Sequence, residues 1–415
     1  MKILLLSQWF DPESCFKGLA FAREIRRQGH EVMVLTGFPN YPGGKIYPGY
    51  RVRLWQRETM DGIAVLRVPL YPSHDRSALR RILNYLSFSL AAAIGIFALP
   101  KPDVVYVYSP PPTTALAAVM LRAVKRVPFV LDIQDMWPDT LTATGMVRHA
   151  GLLSAVGWWM RFIYRRAARI AVLSPGFKRL LADRGVAADR VAVIPNWTHE
   201  DVSSDASPPE SRRHFNIVYA GNIGAAQGLE TVLAAAEALR AAAPQVRFLI
   251  AGDGVDADAL RADAVVRQLD NVSFLGRLPA TEMPTLFARA SALLVHLRDE
   301  PVFTTTIPSK TQAYLRAGKP ILIGMRGDAA ALVEEAGAGI AFEPGDDAEL
   351  TAAILQLAAL PRQERAAMGK AGSEYYRRHL SLEAGTKRFI SLFEEVLAKA
   401  RTGSSLRSIA AVDRD

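Results

Sequence analysis

Short apolar runs of strand length alternate with helix-length text along almost the whole chain, and the alternation is made twice. The first series is "KILLLS", "EVMVLTG", "DVVYVYS", "PFVLDIQD", "RIAVLS" and "RVAVIPN"; the second is "FNIVYAGN", "VRFLIAGDG", "VSFLG", "ALLVHL" and "PILIG". Near-continuous apolar strands separated by helices predict parallel sheets covered on both faces, that is, doubly wound α/β layers. The one departure is 51–69, where two alternating runs flank "MDG" and predict a hairpin. Residues 196–214, "NWTHEDVSSDASPPESRRH", are polar and rich in Ser and Pro, and read as a linker. The predicted domains are therefore 1–195 and 215–380, joined by that linker. An amphipathic helix over 381–402 is a candidate to cross back to the first domain, and a disordered tail follows over 403–415. Two such domains predict a cleft, with ligands beyond the carboxyl ends of the strands.

Composition removes several classes. A single cysteine, Cys15, excludes a disulfide framework and favours a reducing compartment. The seven histidines show no close pairing, so no metal-ligand spacing is present and no cofactor is expected. "MKILLLSQWFDP" turns polar too soon for a signal peptide and reads as a buried strand. Residues 1–205 carry a net charge of +10 and residues 206–415 a net charge of −1, which together give the chain's +9. A basic half beside a neutral half points to an anionic partner for the first. The basic residues are spread over several elements, which argues for a membrane surface rather than nucleic acid.

Several stretches carry candidate chemistry. Lys310 is the only charged residue between Val302 and Leu315, and follows Pro308 and Ser309 where a helix should begin. Lysine in a first turn opposes the helix dipole by about 0.3–1 kcal/mol unless an anion sits nearby. A lysine with free helix N–H groups would receive a diphosphate well; the alternative is a solvated surface lysine. "VYAGNIGAAQGLETVL" is strand, glycine turn and helix, with the helix expected from Gln227; Gly221, Gly224 and Gly228 offer a phosphate seat or simply a tight turn. "LIAGDGVDADAL" repeats the arrangement around Gly252, with Asp256 and Asp258 read as helix caps rather than metal ligands. At Gly276 and Arg277 a nucleotide base could rest on backbone, or Arg277 is a surface residue. In "PFVLDIQDMWPDTL", Asp132, Asp135 and Asp139 surround Trp137 just past a buried strand. Carboxylates there are costly unless they meet donors such as sugar hydroxyls; helix capping covers Asp139 well and Asp132 poorly.

Together "QWFDPE", "RRQGHEVMVLTGFPNYPGGKIYPGY", "DIQDMWPDTL", "YAGNIGAAQGLETVL", "GRLP" and "IPSKTQAYLRAGKPI" resemble the retaining family 4 glycosyltransferases. Within that family the chain is similar to the bacterial colanic acid and O-antigen N-acetylfucosamine-type enzymes. The resemblance covers about residues 1–400 and implies the GT-B fold, two Rossmann-like domains facing across a cleft. It implies metal-independent sugar transfer from a UDP-sugar with retained anomeric configuration. The donor-side candidates are then Gly221, Asn222, Gly224, Gln227, Gly252, Gly276, Arg277, Ser309 and Lys310. The acceptor-side candidates are Lys17, Gly18, Asp132 and Trp137, with Lys310 and Asp135 catalytic. Two departures stand out. Asn222 and Gln227 occupy a loop where many members carry Arg and Lys, and Thr305 and Ala313 replace a pair of glutamates, one of them a ribose contact. More of the cationic work falls to Lys310, with Arg277 and Arg298 as candidate helpers. The rival readings are an epimerase of the same fold, which needs no acceptor, and a non-catalytic nucleotide-sugar-binding partner.

The segment 79–101 is uncharged from Ile82 to Leu99, at the lower edge of a spanning length. Asn84, Ser87 and Ser89 inside it favour a buried or surface-dipping helix. "GWWMRFIYRRAAR" mixes Trp158, Trp159, Phe162 and Tyr164 with Arg161, Arg165, Arg166 and Arg169, as suits a membrane interface. The expected residence is cytoplasmic and peripheral, on the inner leaflet where lipid-linked acceptors are presented.

Overall fold

A computed structural model describes residues 1–73, 77–143, 149–198 and 213–412. Most of the expected linker lies outside the described residues, as do 413–415. The chain divides into two compact units, Met1–Pro195 with Gly385–Asp415, and Asn196–Ala384.

The first unit is built on an eight-stranded sheet. In chain order its strands are β1 (Lys2–Leu6), β2 (Glu31–Gly37), β3 (Gln56–Met60), β4 (Ile63–Val68), β5 (Val104–Ser109), β6 (Phe129–Ile133), β7 (Arg169–Val172) and β8 (Val191–Val193). They lie in the order β3-β4-β2-β1-β5-β6-β7-β8, and only the β3–β4 pair is antiparallel. That pair is the expected hairpin. Asp61 and Gly62 both have positive φ, 49° and 76°, the conformation an Asp-Gly hairpin turn demands.

The second unit holds β9 (Phe215–Ala220), β10 (Val246–Ala251), β11 (Val272–Gly276), β12 (Ala292–His296), β13 (Ile321–Gly324) and β14 (Gly339–Phe342), all parallel, in the order β11-β10-β9-β12-β13-β14. Alternate residues enter different cores. Ile217, Tyr219, Phe248, Ile250 and Leu294 pack into one, while Val218, Ala220, Leu249, Ala251 and Val295 pack into the other. A strand with both faces covered has no polar side to alternate with, so it reads as one apolar run. The strand β14 escapes the sequence reading because "GIAF" is only four residues long.

Three helices depart from expectation. The helix expected from Gln227 begins at Glu230, because Gly228 takes a left-handed φ of 57° and ends a short turn over Ala225–Gln227 first. The helix after Asp256 starts as expected, at Ala257, but the Asp256 side chain makes no cap bond. The last helix runs Leu382–Val412, past the point where a disordered tail was expected. One glycine and no proline follow Thr402 up to Val412, and propagating a formed helix fixes one residue per added bond.

The helix Ala78–Gly95, uncharged beyond Arg81, is long and apolar enough by length and composition to cross a membrane. One of its faces is nevertheless built into the first core, through Phe88, Ala92 and Ala93, followed by Ile96. Its polar groups are satisfied on that side. Gln8 donates to Asn84 Oδ1 at 2.5 Å, Asn84 donates to the Tyr71 carbonyl at 2.7 Å, and Ser89 donates to the Thr113 carbonyl at 2.6 Å. The aromatic helix Ala150–Arg166 is less exposed than its text suggests. Tyr164 is buried, Trp159 packs on the core and donates to the Pro112 carbonyl, and Trp158 is the exposed member.

The final helix closes the other face of the first sheet. Phe389 meets Phe21 and Tyr106 at ring-centroid distances of 5.4 and 5.3 Å, and Phe21 meets Tyr106 at 5.3 Å, all edge to face. All three rings are almost fully buried. Truncating a buried Phe removes its transfer free energy and leaves a cavity. Phe389→Ala should therefore destabilise the first unit by about 3–5 kcal/mol, read as a lower urea midpoint for that unit's unfolding.

Candidate active site

In the second unit the strand β9 ends at Ala220 and the chain turns at Gly221. The helix Ser309–Ala317 is tied to that point by Tyr314, whose hydroxyl accepts from the Ala220 N–H at 2.8 Å and donates to the Ala220 carbonyl at 3.2 Å. Lys310 lies one turn before Tyr314 on the same helix face. Its ammonium donates to the Tyr219 hydroxyl at 2.8 Å and lies 4.0 Å from the Tyr219 ring centroid. The Tyr219 hydroxyl in turn donates to the Asn222 carbonyl at 2.5 Å.

The glycines make this approach possible. A Cβ on Gly221 would stand 2.9 Å from Lys310 Nζ, and one on Gly252, whose φ is 142°, would stand 1.8 Å from the Gly221 carbonyl oxygen. Gly252 N–H also donates to the Gly276 carbonyl at 2.8 Å, linking the ends of three strands.

No carboxylate pairs with Lys310 among the described residues, and burial alone pulls its pKa down to about 7. The ammonium is held at the start of a helix, the end that favours negative charge. Arg298 is not a second free cation, because it pairs with Glu230. Arg277 is exposed, as is Ser309 at the helix start. Asn222 and Gln227 serve the turn itself: Gln227 Oε1 accepts from Asn222 Nδ2 at 3.1 Å and from the Gly224 N–H at 3.1 Å.

His296, which the sequence reading passed over, is buried behind this turn. Its Nε2 accepts from the Gly345 N–H at 3.1 Å, so Nδ1 carries the proton and donates to the Gln227 carbonyl at 2.7 Å. Burial, the main cause, holds its pKa below the usual imidazole value. The only signal in the text was a histidine ending an apolar strand.

In the first unit the structure separates residues that the sequence grouped. Lys17 and Asp132 are both fully buried, with Lys17 Nζ 3.9 Å from Asp132 Oδ2. That oxygen also accepts from the Tyr106 hydroxyl at 2.5 Å and Gln134 Nε2 at 2.9 Å. The donors that Oδ2 meets are thus the protein's own, while Oδ1 is buried with no hydrogen-bond partner among the described residues. Burial lowers the Lys17 pKa to about 8 against the pull of Asp132, and raises that of Asp132. Gly18 is packed against Asp11, where a Cβ would come within 2.2 Å of the carboxylate. Asp139 pairs with Arg184, and Trp137 packs against the core.

Asp135 is different. It is half-buried, its carboxylate has no polar partner among the described residues, and burial raises its pKa. Burial also raises the phenols of Tyr85 and Tyr108, with the Asp135 charge adding to each, so both stand nearby as neutral hydroxyls. Trp9 and Tyr41, past the ends of β1 and β2, lie with ring centroids 4.7 Å apart and planes tilted by 32°. Glu13, also unnoticed in the sequence, holds that loop: it accepts from the Asn40 N–H at 2.6 Å and the Tyr41 N–H at 2.7 Å.

Each unit is thus a doubly wound α/β layer, the second carrying a cation beside a glycine turn and the first a carboxylate just past the end of a strand. Residues 19–197 match the family described as Glycosyl transferase 4-like domain, and residues 214–359 match Glycosyl transferases group 1. The chain belongs to the family 4 glycosyltransferases of GT-B fold. It is 28% identical, over 94% of its length and 99% of the relative's, to WcaI of Escherichia coli, named for glycosyl transfer in colanic acid biosynthesis. It is 27% identical to the glycosyltransferase-named WbjE of Pseudomonas aeruginosa, over 66% of this chain and 72% of that one. Among solved structures, HepE of Anabaena in complex with UDP superposes with a TM-score of 0.64 at 17% identity, covering 95% of this chain and all of the other.

The Lys310 ammonium, which pairs with no carboxylate among the described residues, has a proton-linked consequence. A diphosphate bound beside Lys310 stabilises the charged form and raises its pKa above about 7. With UDP as the probe and its terminal phosphate ionised, affinity should fall as pH rises through the range between the free and bound values. Calorimetry in two buffers should record proton uptake slightly above neutral pH, and Lys310→Ala should abolish it.

Proposed function

We propose that the chain transfers a sugar, an N-acetylated hexosamine or deoxyhexosamine, from a UDP-sugar to a lipid-linked or saccharide acceptor in surface polysaccharide biosynthesis. The single observation that carries the reading is Lys310, a cation without a carboxylate at a helix start beside a glycine turn. The bond between the sugar's anomeric carbon and the diphosphate oxygen breaks, leaving negative charge on the diphosphate. Lys310 and the first N–H groups of its helix meet that charge as it develops, with no metal needed. The acceptor hydroxyl attacks from the face the diphosphate leaves, which retains the anomeric configuration, and its proton passes to the departing phosphate oxygen. Asp135 orients the acceptor hydroxyl, with Tyr85, Tyr108 and the Trp9–Tyr41 pair as surrounding donors and stacking surface. An epimerase would need none of that acceptor-side chemistry. The reading includes peripheral residence on the inner face of the cytoplasmic membrane, supported by the +10 half of the chain.

Lys310→Ala should lower the transfer rate by at least about a hundredfold, the usual loss for one preorganised charge partner in the transition state, with a smaller change in UDP affinity. A near-normal rate would rule out the diphosphate role. Asp135→Asn should reduce transfer to acceptor while leaving UDP binding and slow donor hydrolysis near wild type. Mass spectrometry of products from a panel of UDP-sugars with lipid extract reads both, and unchanged transfer would remove Asp135 from the site.

A further inference from the structure

The helix Ala78–Gly95 is fixed in rotation by its inward face, through Asn84, Phe88, Ser89 and Ala92. That rotation leaves Leu79, Leu83, Leu86, Leu90 and Ile94 on the outward face, at helical spacings of three and four. Leu79, Leu90 and Ile94 are 67%, 61% and 70% exposed. A continuous apolar stripe along one helix, in a first unit otherwise rich in charge, is the kind of surface that marks an interaction site.

Its surroundings are cationic. Residues 76–102 contain no Asp or Glu. Arg80 and Arg81 stand in the first turn of the helix. At the far end Arg57 donates to the Ala98 carbonyl at 3.2 Å, and Lys125 lies 5.5 Å from the Phe97 ring centroid. Arg57 belongs to "RVRLWQR", 51–57, whose Val52, Leu54 and Trp55 are exposed among three arginines. Apolar side chains rimmed by arginine and lysine, with a tryptophan at the edge, match the chemistry of an anionic bilayer surface.

We propose that this helix, with the 51–57 segment beside its end, is the face that docks on an anionic membrane, lying in the plane of the interface rather than crossing it. The inference rests on the peripheral-membrane part of the reading above and names the surface responsible. The buried face is what forbids crossing: a spanning helix would have to strip Phe88 and Ala92 from the core and leave the Asn84 and Ser89 bonds unmade. The aromatic helix Ala150–Arg166, which the sequence favoured, offers much less, since Trp158 is its exposed ring and stacks on Phe162 at 5.8 Å. Tyr85 sits on the same helix as the stripe and stands near Asp135, so docking there would bring lipid-borne acceptors to the acceptor side of the site.

The test uses the full chain and vesicles of phosphatidylethanolamine with phosphatidylglycerol, against phosphatidylcholine alone. Wild type should sediment with the anionic vesicles and bind less in high salt. The triple variant Leu83→Ser, Leu86→Ser, Leu90→Ser should bind at least tenfold more weakly. A variant with Trp158→Ser, Arg161→Gln and Arg165→Gln should bind as wild type does. A second readout needs no change to the helix: vesicles should blue-shift the protein's tryptophan fluorescence, and Trp55→Phe should remove most of that shift. If the Trp158 variant loses binding and both the stripe variant and the Trp55→Phe signal stay normal, the membrane reading survives and this surface is wrong. If wild type ignores all vesicles, or self-associates through the stripe instead, both the membrane reading and this inference fall, while the donor chemistry tested at Lys310 is untouched. Binding that resists high salt and yields only to detergent overturns the in-plane arrangement.

Discussion

The second unit is organised around an ammonium that lacks a carboxylate. Burial makes such a charge expensive, and its pKa falls to about 7 in consequence. The fold accepts that cost by design of its neighbours. Gly221 has no side chain to exclude the lysine, Gly252 leaves room for the Gly221 backbone, Tyr314 anchors the lysine's helix to the end of β9, and Tyr219 gives it one hydroxyl and one ring face. Behind the turn, a neutral His296 locks the Gln227 carbonyl and the Gly345 N–H. Each contact holds geometry, and none cancels the charge. A cation kept uncompensated in this way is what the donor-diphosphate proposal rests on.

The first unit handles buried charge in the opposite manner. Lys17 and Asp132 face each other with no exposure, and Tyr106 and Gln134 complete the shell of Asp132 Oδ2. Replacing such a pair by apolar groups is often neutral, whereas removing one partner strands the other. Asp135, three residues beyond Asp132 and past the end of β6, has no polar partner at either carboxylate oxygen among the described residues. Position relative to the strand end, rather than residue type, separates the buried carboxylate paired with Lys17 from the half-buried one beyond it.

The two-fold alternation of strand and helix was legible because parallel strands buried on both faces leave uninterrupted apolar text. The hairpin was legible because Asp61-Gly62 is a turn chemistry that little else requires. The isolation of Lys310 was visible as a gap in the charge pattern. Tertiary pairing was not visible. Lys17 and Asp132 are joined by the sheet and not by sequence, so Asp132 read as a substrate-facing group. Arg298 looked available until Glu230 met it. The aromatics of 157–164 looked like a surface because a helix written without its neighbours does not reveal which face is covered. The helix start near 227 was misread by one glycine whose φ could not be read from its name.

The last helix has a further consequence for how the chain is made. The sheet of the first unit is complete in sequence by Val193, yet Phe389, which covers Phe21 and Tyr106 and lies 5.4 Å from the Lys17 ammonium, comes from the far end of the chain. A ribosome adding about 5–20 residues per second must spend about ten to forty seconds on the intervening unit before that ring emerges. Through that interval the nascent first unit shows an aromatic patch and a lysine–aspartate pair to solvent or to a chaperone. The unit that begins synthesis first is therefore the one whose core closes last.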